Sequence, residues 1–195
     1  MKRFALSVGA VSLLTACLIP EKFEAKIDIK SDGSYSFAYD GTLALGIALD
    51  AVEKGKLDAK TEADLQKMTV ELKKDPAFKK VEYIGRARYK VQVEKLGKAG
   101  ETYHFISRES KIISITPQKD GTVVISAMKL DKKLIEQLAT IGSKIDGTLS
   151  VSLGSGVKVV SHNAPSEPSL FGMLGGYKWL IKSPDQVPSM VVKFK

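Results

Sequence analysis

Two short runs near the N-terminus constrain the fold of this chain more than any other feature. Phe23, Ala25, Ile27 and Ile29 alternate with Glu24, Lys26, Asp28 and Lys30. After Ser31-Asp32-Gly33 the alternation resumes with Tyr35, Phe37 and Tyr39. Period two with one apolar face is the signature of a half-buried strand. Two such runs joined by a Gly-containing turn read as a hairpin. The domain must therefore supply something apolar to cover that face.

The rest of the pattern mixes helices and strands. Asp40-Gly41 reads as a second turn. Residues 42–54 read as a helix that is apolar nearly all round, which is the pattern of a buried helix. Residues 61–75 read as a second helix. Thr61 and Asp64 form a weak capping box, Leu65, Met68 and Leu72 make the apolar stripe, and Asp75-Pro76 stops it. Residues 81–96 alternate as one long strand, with Tyr83, Ala87, Tyr89, Val91 and Val93 on one face and Arg86, Arg88 and Lys90 on the other. Strands are expected at 103–105, 113–115 and 123–128. Asp131 is expected to cap a third helix carrying Leu134, Ile135, Leu138 and Ile141. Gly154-Ser155-Gly156 reads as a hairpin turn between strands at 149–153 and 157–159. Two last strands follow, around Trp179 and around Val192. Hairpin-type connections among scattered helices predict an α+β fold: one domain, a largely antiparallel sheet, and about three helices packed on it.

The N-terminus carries a different signal. Lys2 and Arg3 precede an apolar stretch from Phe4 to Leu14. It is too short to span a bilayer, which takes about 20 residues, but it suits the h-region of a signal peptide. It ends in Leu14-Thr15-Ala16-Cys17, which resembles the lipobox of bacterial lipoproteins. That resemblance implies a signal peptide over 1–16, cleavage between Ala16 and Cys17, and acylation of Cys17. The competing reading is an ordinary signal peptide with an incidental cysteine. Residues 17–21 are then a lipidated tether and 22–195 the envelope domain. Residue 18 is Leu rather than Asp, which by the same resemblance favours the outer membrane facing the periplasm, or the outer face of the cell membrane where only one membrane exists.

Cys17 is the only cysteine, so the domain has no disulfide to lean on. The formal charge is +8, of which Lys2 and Arg3 contribute two units. Dispersed lysines serve solubility, or draw the domain to anionic headgroups at about 1 kcal/mol per basic residue near the surface. An exported chain is not expected to meet nucleic acid. Two histidines, scattered carboxylates and no Gly-x-Ser-x-Gly elbow argue against an enzyme, a metal site or a cofactor. His104 reads as a polar strand residue and His162 as a turn cap.

Two segments are candidates for ligand or membrane contact. Leu170, Phe171, Met173 and Leu174 sit on a loop between Pro168 and Gly175-Gly176. They either enter a bilayer or gate a lipid pocket, or fold back to cap the core. Arg86 and Arg88 either meet phosphate headgroups or lie on a solvated sheet face. The chain is also similar, in order and texture, to the LppM-type domain of actinobacterial and other lipoproteins. The features are the lipidated cysteine running into a hairpin (Cys17 to Tyr39), Val-x-Val-x-x-x-Asn over 157–163, and Tyr-x-Trp at 177–179 before a closing strand. The helix from Thr61 has no counterpart in that pattern. The resemblance implies an α+β domain that binds lipids or glycolipids and has no catalytic residues. Two functions of different class fit: an envelope lipoprotein binding a lipid or other amphipathic ligand, or a tethered protein-interaction module such as an inhibitor, immunity or assembly accessory protein.

Overall fold

The computed structural model describes residues 18–107, 111–130, 132–140, 144–169 and 175–194. The opening hairpin is present and longer than the alternation predicts. β1 (Leu18–Ile29) and β2 (Tyr35–Leu45) pair antiparallel, with Ile27 opposite Phe37, Ala25 opposite Tyr39, and Leu18 opposite Leu45. Residues 18–21, expected to be a tether, are therefore strand. Residues 42–45, expected to start a helix, are the end of β2. Leu43 and Leu45 continue the buried row of Tyr39, and β2 is bonded on both sides, so its backbone groups are satisfied only by staying extended. Gly41 is not a turn residue. It lies mid-strand opposite Phe23, where β1 bulges between Pro20 and Phe23, and a Cβ there would stand 2.5 Å from that of Phe23.

The chain then leaves the sheet as α1 (Gly46–Glu53) and α2 (Ala59–Leu72). Asp58, not Thr61, caps α2: its carboxylate accepts the Thr61 backbone N–H at 2.7 Å. Asp64 pairs with Lys67 instead. Leu65, Met68 and Leu72 are buried as the stripe predicts. The expected strand over 81–96 is a hairpin of β3 (Phe78–Tyr83) and β4 (Arg88–Gly97). Gly85, Arg86 and Ala87 turn it with φ of 83°, 54° and 58°. Tyr83 faces Tyr89 across the turn, so the alternation keeps its parity and conceals the reversal.

Next come β5 (Tyr103–His104), β6 (Ile113–Pro117), β7 (Thr122–Ala127), α3 (Lys132–Thr140), β8 (Asp146–Leu153), β9 (Lys158–His162), β10 (Tyr177–Ile181) and β11 (Ser189–Lys193). They complete two sheets. One has the order β10-β8-β1-β2-β4-β3, with β1 and β8 parallel; the other is antiparallel, β5-β6-β7-β11-β9. The segment Gly154–Gly156 is not a hairpin turn, because β8 and β9 belong to different sheets. The fold is α+β in a single domain, as the sequence predicts. The correction is that a second sheet, as well as helices, covers the dry face of the first.

That face runs through Trp179, Leu149, Ala25, Tyr39 and Val93, neighbours in register across five strands and all buried. Phe105 joins the sheets, with ring centroids 4.6 Å from Tyr39 and 5.1 Å from Phe37. The opposite face of the first sheet is solvated. There Lys26 pairs with Glu24, and Asp40 takes Lys90 at 2.9 Å and Gln92 at 2.8 Å.

Candidate functional site

The strand ends determine where the site lies. β1 and β8 begin, and β2 and β10 end, at one end of the first sheet. β6 and β11 begin, and β7 ends, at one end of the second. These ends adjoin, and a cavity of about 530 Å³ lies between them. Leu18, Ile19, Pro20 and Phe23 of β1 form one wall, with Leu149 and Ile181 beside them. Ile112, Ile113, Ala127 and Met128 form the facing wall. Gly46, Ile47 and Asp50 of α1 and Leu138 and Thr140 of α3 complete it, with the turn at Ser183, Pro184 and Gln186.

Phe23 shows why these residues leave a space. Its ring packs over Gly147, its partner in β8, where a Cβ would stand 2.2 Å from the ring. Its own Cβ sits against Gly41 on the other side. Two strand glycines thus let an aromatic side chain lie down at the cavity wall, stacked 5.5 Å from Tyr39. Tyr39 is held neutral: burial pushes its phenol well above the usual range, and Asp40 and Glu21 push it the same way.

The polar groups at the cavity are engaged locally. Asp50 accepts from Lys54 at 2.8 Å, and Gln186 Oε1 accepts the Lys182 and Ser183 backbone N–H groups at 2.6 and 3.2 Å. The wall itself offers contacts to hydrocarbon and few to charge. Among the described residues no cluster of His, Cys, Asp and Glu could hold a metal ion.

The sequence-derived candidates fall in different places. Ala16, Cys17 and the loop residues Leu170, Phe171, Met173 and Leu174 lie outside the described residues. Arg88 is not presented on an open face. It forms a bidentate pair with Glu21, 2.8 Å from Nε and 2.9 Å from Nη2, and both side chains are largely shielded. Arg86 is exposed, with Glu53 at 3.8 Å. His162 caps a turn, its Nδ1 accepting the Ala164 N–H at 3.1 Å. The sequence reading missed most of the cavity wall. Its one visible trace is the loss of alternation at Leu18-Ile19-Pro20 and Ile112-Ile113, where adjacent residues are both apolar because both find dry surroundings.

No family model matches the chain, and no curated protein matches it. No helix among the described residues is long and apolar enough to cross a membrane. Among solved structures the chain is similar to the NMR structure of the Mycobacterium tuberculosis LppM protein folded domain, at 13% identity and a TM-score of 0.38, with 100% of this chain and 97% of that chain covered.

Proposed function

We propose that this chain is a non-catalytic envelope lipoprotein, anchored through Cys17, that holds the hydrocarbon part of a lipid or other amphipathic molecule between its two sheets. The observation that carries the reading is the apolar cavity of about 530 Å³, within the range of small-molecule sites. At roughly 30 Å³ for a group the size of a water molecule, it accommodates on the order of 15 methylenes, one long acyl chain. Each methylene removed from water contributes about 0.8 kcal/mol, before the costs of association are subtracted. The lipobox resemblance at Leu14–Cys17 supports the anchor. The cavity favours ligand binding over a tethered protein-interaction module, whose core would be filled.

The test is native mass spectrometry of a chain beginning at Cys17, carrying Cys17→Ser, for co-purified lipid, with a titration of a fluorescent fatty acid alongside. Saturable binding is expected, and Ala127→Phe, which fills the cavity, should weaken it at least tenfold. Binding that is absent, or indifferent to Ala127→Phe, would sink the reading.

A further inference from the structure

We infer that the cavity opens toward the membrane that holds the anchor, so that it loads directly from that leaflet without its ligand crossing water. The inference rests on the cavity being a lipid site and on Cys17 being the anchor. Its own observation is a coincidence of position. Leu18, Ile19 and Pro20, which follow Cys17 directly in the sequence, are themselves cavity wall. Leu18 is 3% exposed and paired with Leu45, so it is fixed in the domain rather than on a free tether. Consecutive Cα atoms are about 3.8 Å apart. An anchor on Cys17 is therefore one residue away from the cavity wall.

The rim has the character this requires. The lining reaches the surface at Ile47, which is 61% exposed although it is a large aliphatic residue. Asp50 with its Lys54 partner lies three residues on in α1, and Gln186 is also in the lining, polar groups suited to headgroup depth. The opposite end of β1 is the Ser31–Gly33 turn, about 40 Å away at the usual rise per strand residue. A domain held at Leu18 thus keeps its mouth at the bilayer and its far turn in water. An acyl chain moving from leaflet to cavity passes between two apolar surroundings, and the aqueous barrier that slows free lipid exchange is absent.

The single cysteine makes this testable without relying on biosynthetic acylation. A chain beginning at Cys17, which keeps every described element, is coupled through its thiol to a maleimide phospholipid in phosphatidylcholine vesicles. The comparison is the Cys17→Ser, Ser31→Cys chain, coupled at the far turn. The probe is a phosphatidylcholine with one pyrenyl acyl chain, and energy transfer from Trp179, the only tryptophan, reports its arrival. Loading at least tenfold faster for the Cys17-coupled chain is expected. Equal rates would overturn the inference. So would a Cys17-coupled chain that takes up no probe while the Ser31-coupled chain does, since the anchor's own hydrocarbon would then occupy the cavity. An uncoupled chain that binds no detergent-dispersed probe would sink the cavity reading itself, and this inference with it.

Discussion

The indole N–H of Trp179 donates to the side-chain oxygen of Asn163 at 2.8 Å, which ties the first sheet to the second. The same oxygen accepts the Ser189 backbone N–H at 2.8 Å, and the Asn163 amide donates to the Val187 carbonyl at 2.8 Å. One side chain therefore holds β10, the end of β9 and the start of β11 together. Asn163→Ala would orphan the indole and the Ser189 amide. It should destabilise the domain by about 2–3 kcal/mol, read as a lower urea midpoint followed by Trp179 emission. An unchanged midpoint would mean that water replaces the amide freely.

Trp179 itself is buried, and Ile181 shares its face, as the alternation predicts. Trp179→Ala should cost about 3–5 kcal/mol, much of a typical domain's stability. A folded protein with the red-shifted emission of solvated indole would contradict the placement.

Tyr35 offers a change in the opposite direction. Its hydroxyl is buried and has no hydrogen-bond partner among the described residues, and its ring lies against Gly97. Burial, reinforced by Glu101, pushes its phenol up to about 12. Tyr83 is likewise raised to about 12, and Tyr89 and Tyr103 are raised by burial as well. An unfolded tyrosine ionises near pH 10. Between about pH 10 and the raised folded values, the unfolded chain has released protons that the native chain retains. Stability therefore falls as pH rises through that window. Tyr35→Phe removes an unsatisfied polar atom and one of these groups. It should raise stability by about 1 kcal/mol at neutral pH and shift the alkaline unfolding edge upward. A lower neutral midpoint would reveal a partner for the hydroxyl.

How much could be read from the sequence follows from what is local. The alternation of Phe23 to Tyr39 and the stripe Leu65, Met68 and Leu72 are local and were legible. So was the pair of motifs ending in Asn163 and containing Trp179, although their contact was not, because a hydrogen bond across 16 residues leaves no period. The β3–β4 turn was hidden because Tyr83 and Tyr89 keep parity across it. Residues 17–21 read as a tether because they follow the lipobox; from Leu18 on they are strand, which accommodates Pro20 beside the bulge. The cavity left only the lost alternation at Leu18–Pro20 and Ile112–Ile113 as a local sign, since its walls come from elements far apart in the chain, from Leu18 to Pro188.

The Glu21–Arg88 pair fixes the same end of the fold. It links β1 to β4 past β2, with two hydrogen bonds under 3 Å. Glu21→Ala would leave a largely shielded guanidinium without its carboxylate. A fully buried pair broken in this way costs about 3–5 kcal/mol. With part of Arg88 still in contact with water, about 1–3 kcal/mol is expected. Glu21→Ala with Arg88→Met should recover most of the loss, as a double-mutant cycle by thermal denaturation would show. A double variant no better than Glu21→Ala would mean that the pair's packing matters more than its charge.

The last prediction joins the fold to the site. Phe23 lies flat because Gly147 has no side chain, and it lines the cavity. In Gly147→Ala the new methyl would overlap the ring by more than an ångström, since 2.2 Å separates a Cβ there from the nearest ring carbon. The backbone of Gly147 is held between β1 and β10, opposite Phe23 and Ile181, so the ring is the part that must yield. Its way out is the empty space beside it. Overpacking of this kind costs about 1–3 kcal/mol, and here it should also remove cavity volume. Gly147→Ala should therefore weaken binding of a fluorescent fatty acid at least tenfold while leaving a cooperative thermal transition. Adding Phe23→Leu should restore both stability and binding, because the smaller side chain fits beside the methyl without entering the cavity. Weak binding that Phe23→Leu does not restore would show that the ring is not what the glycine makes room for.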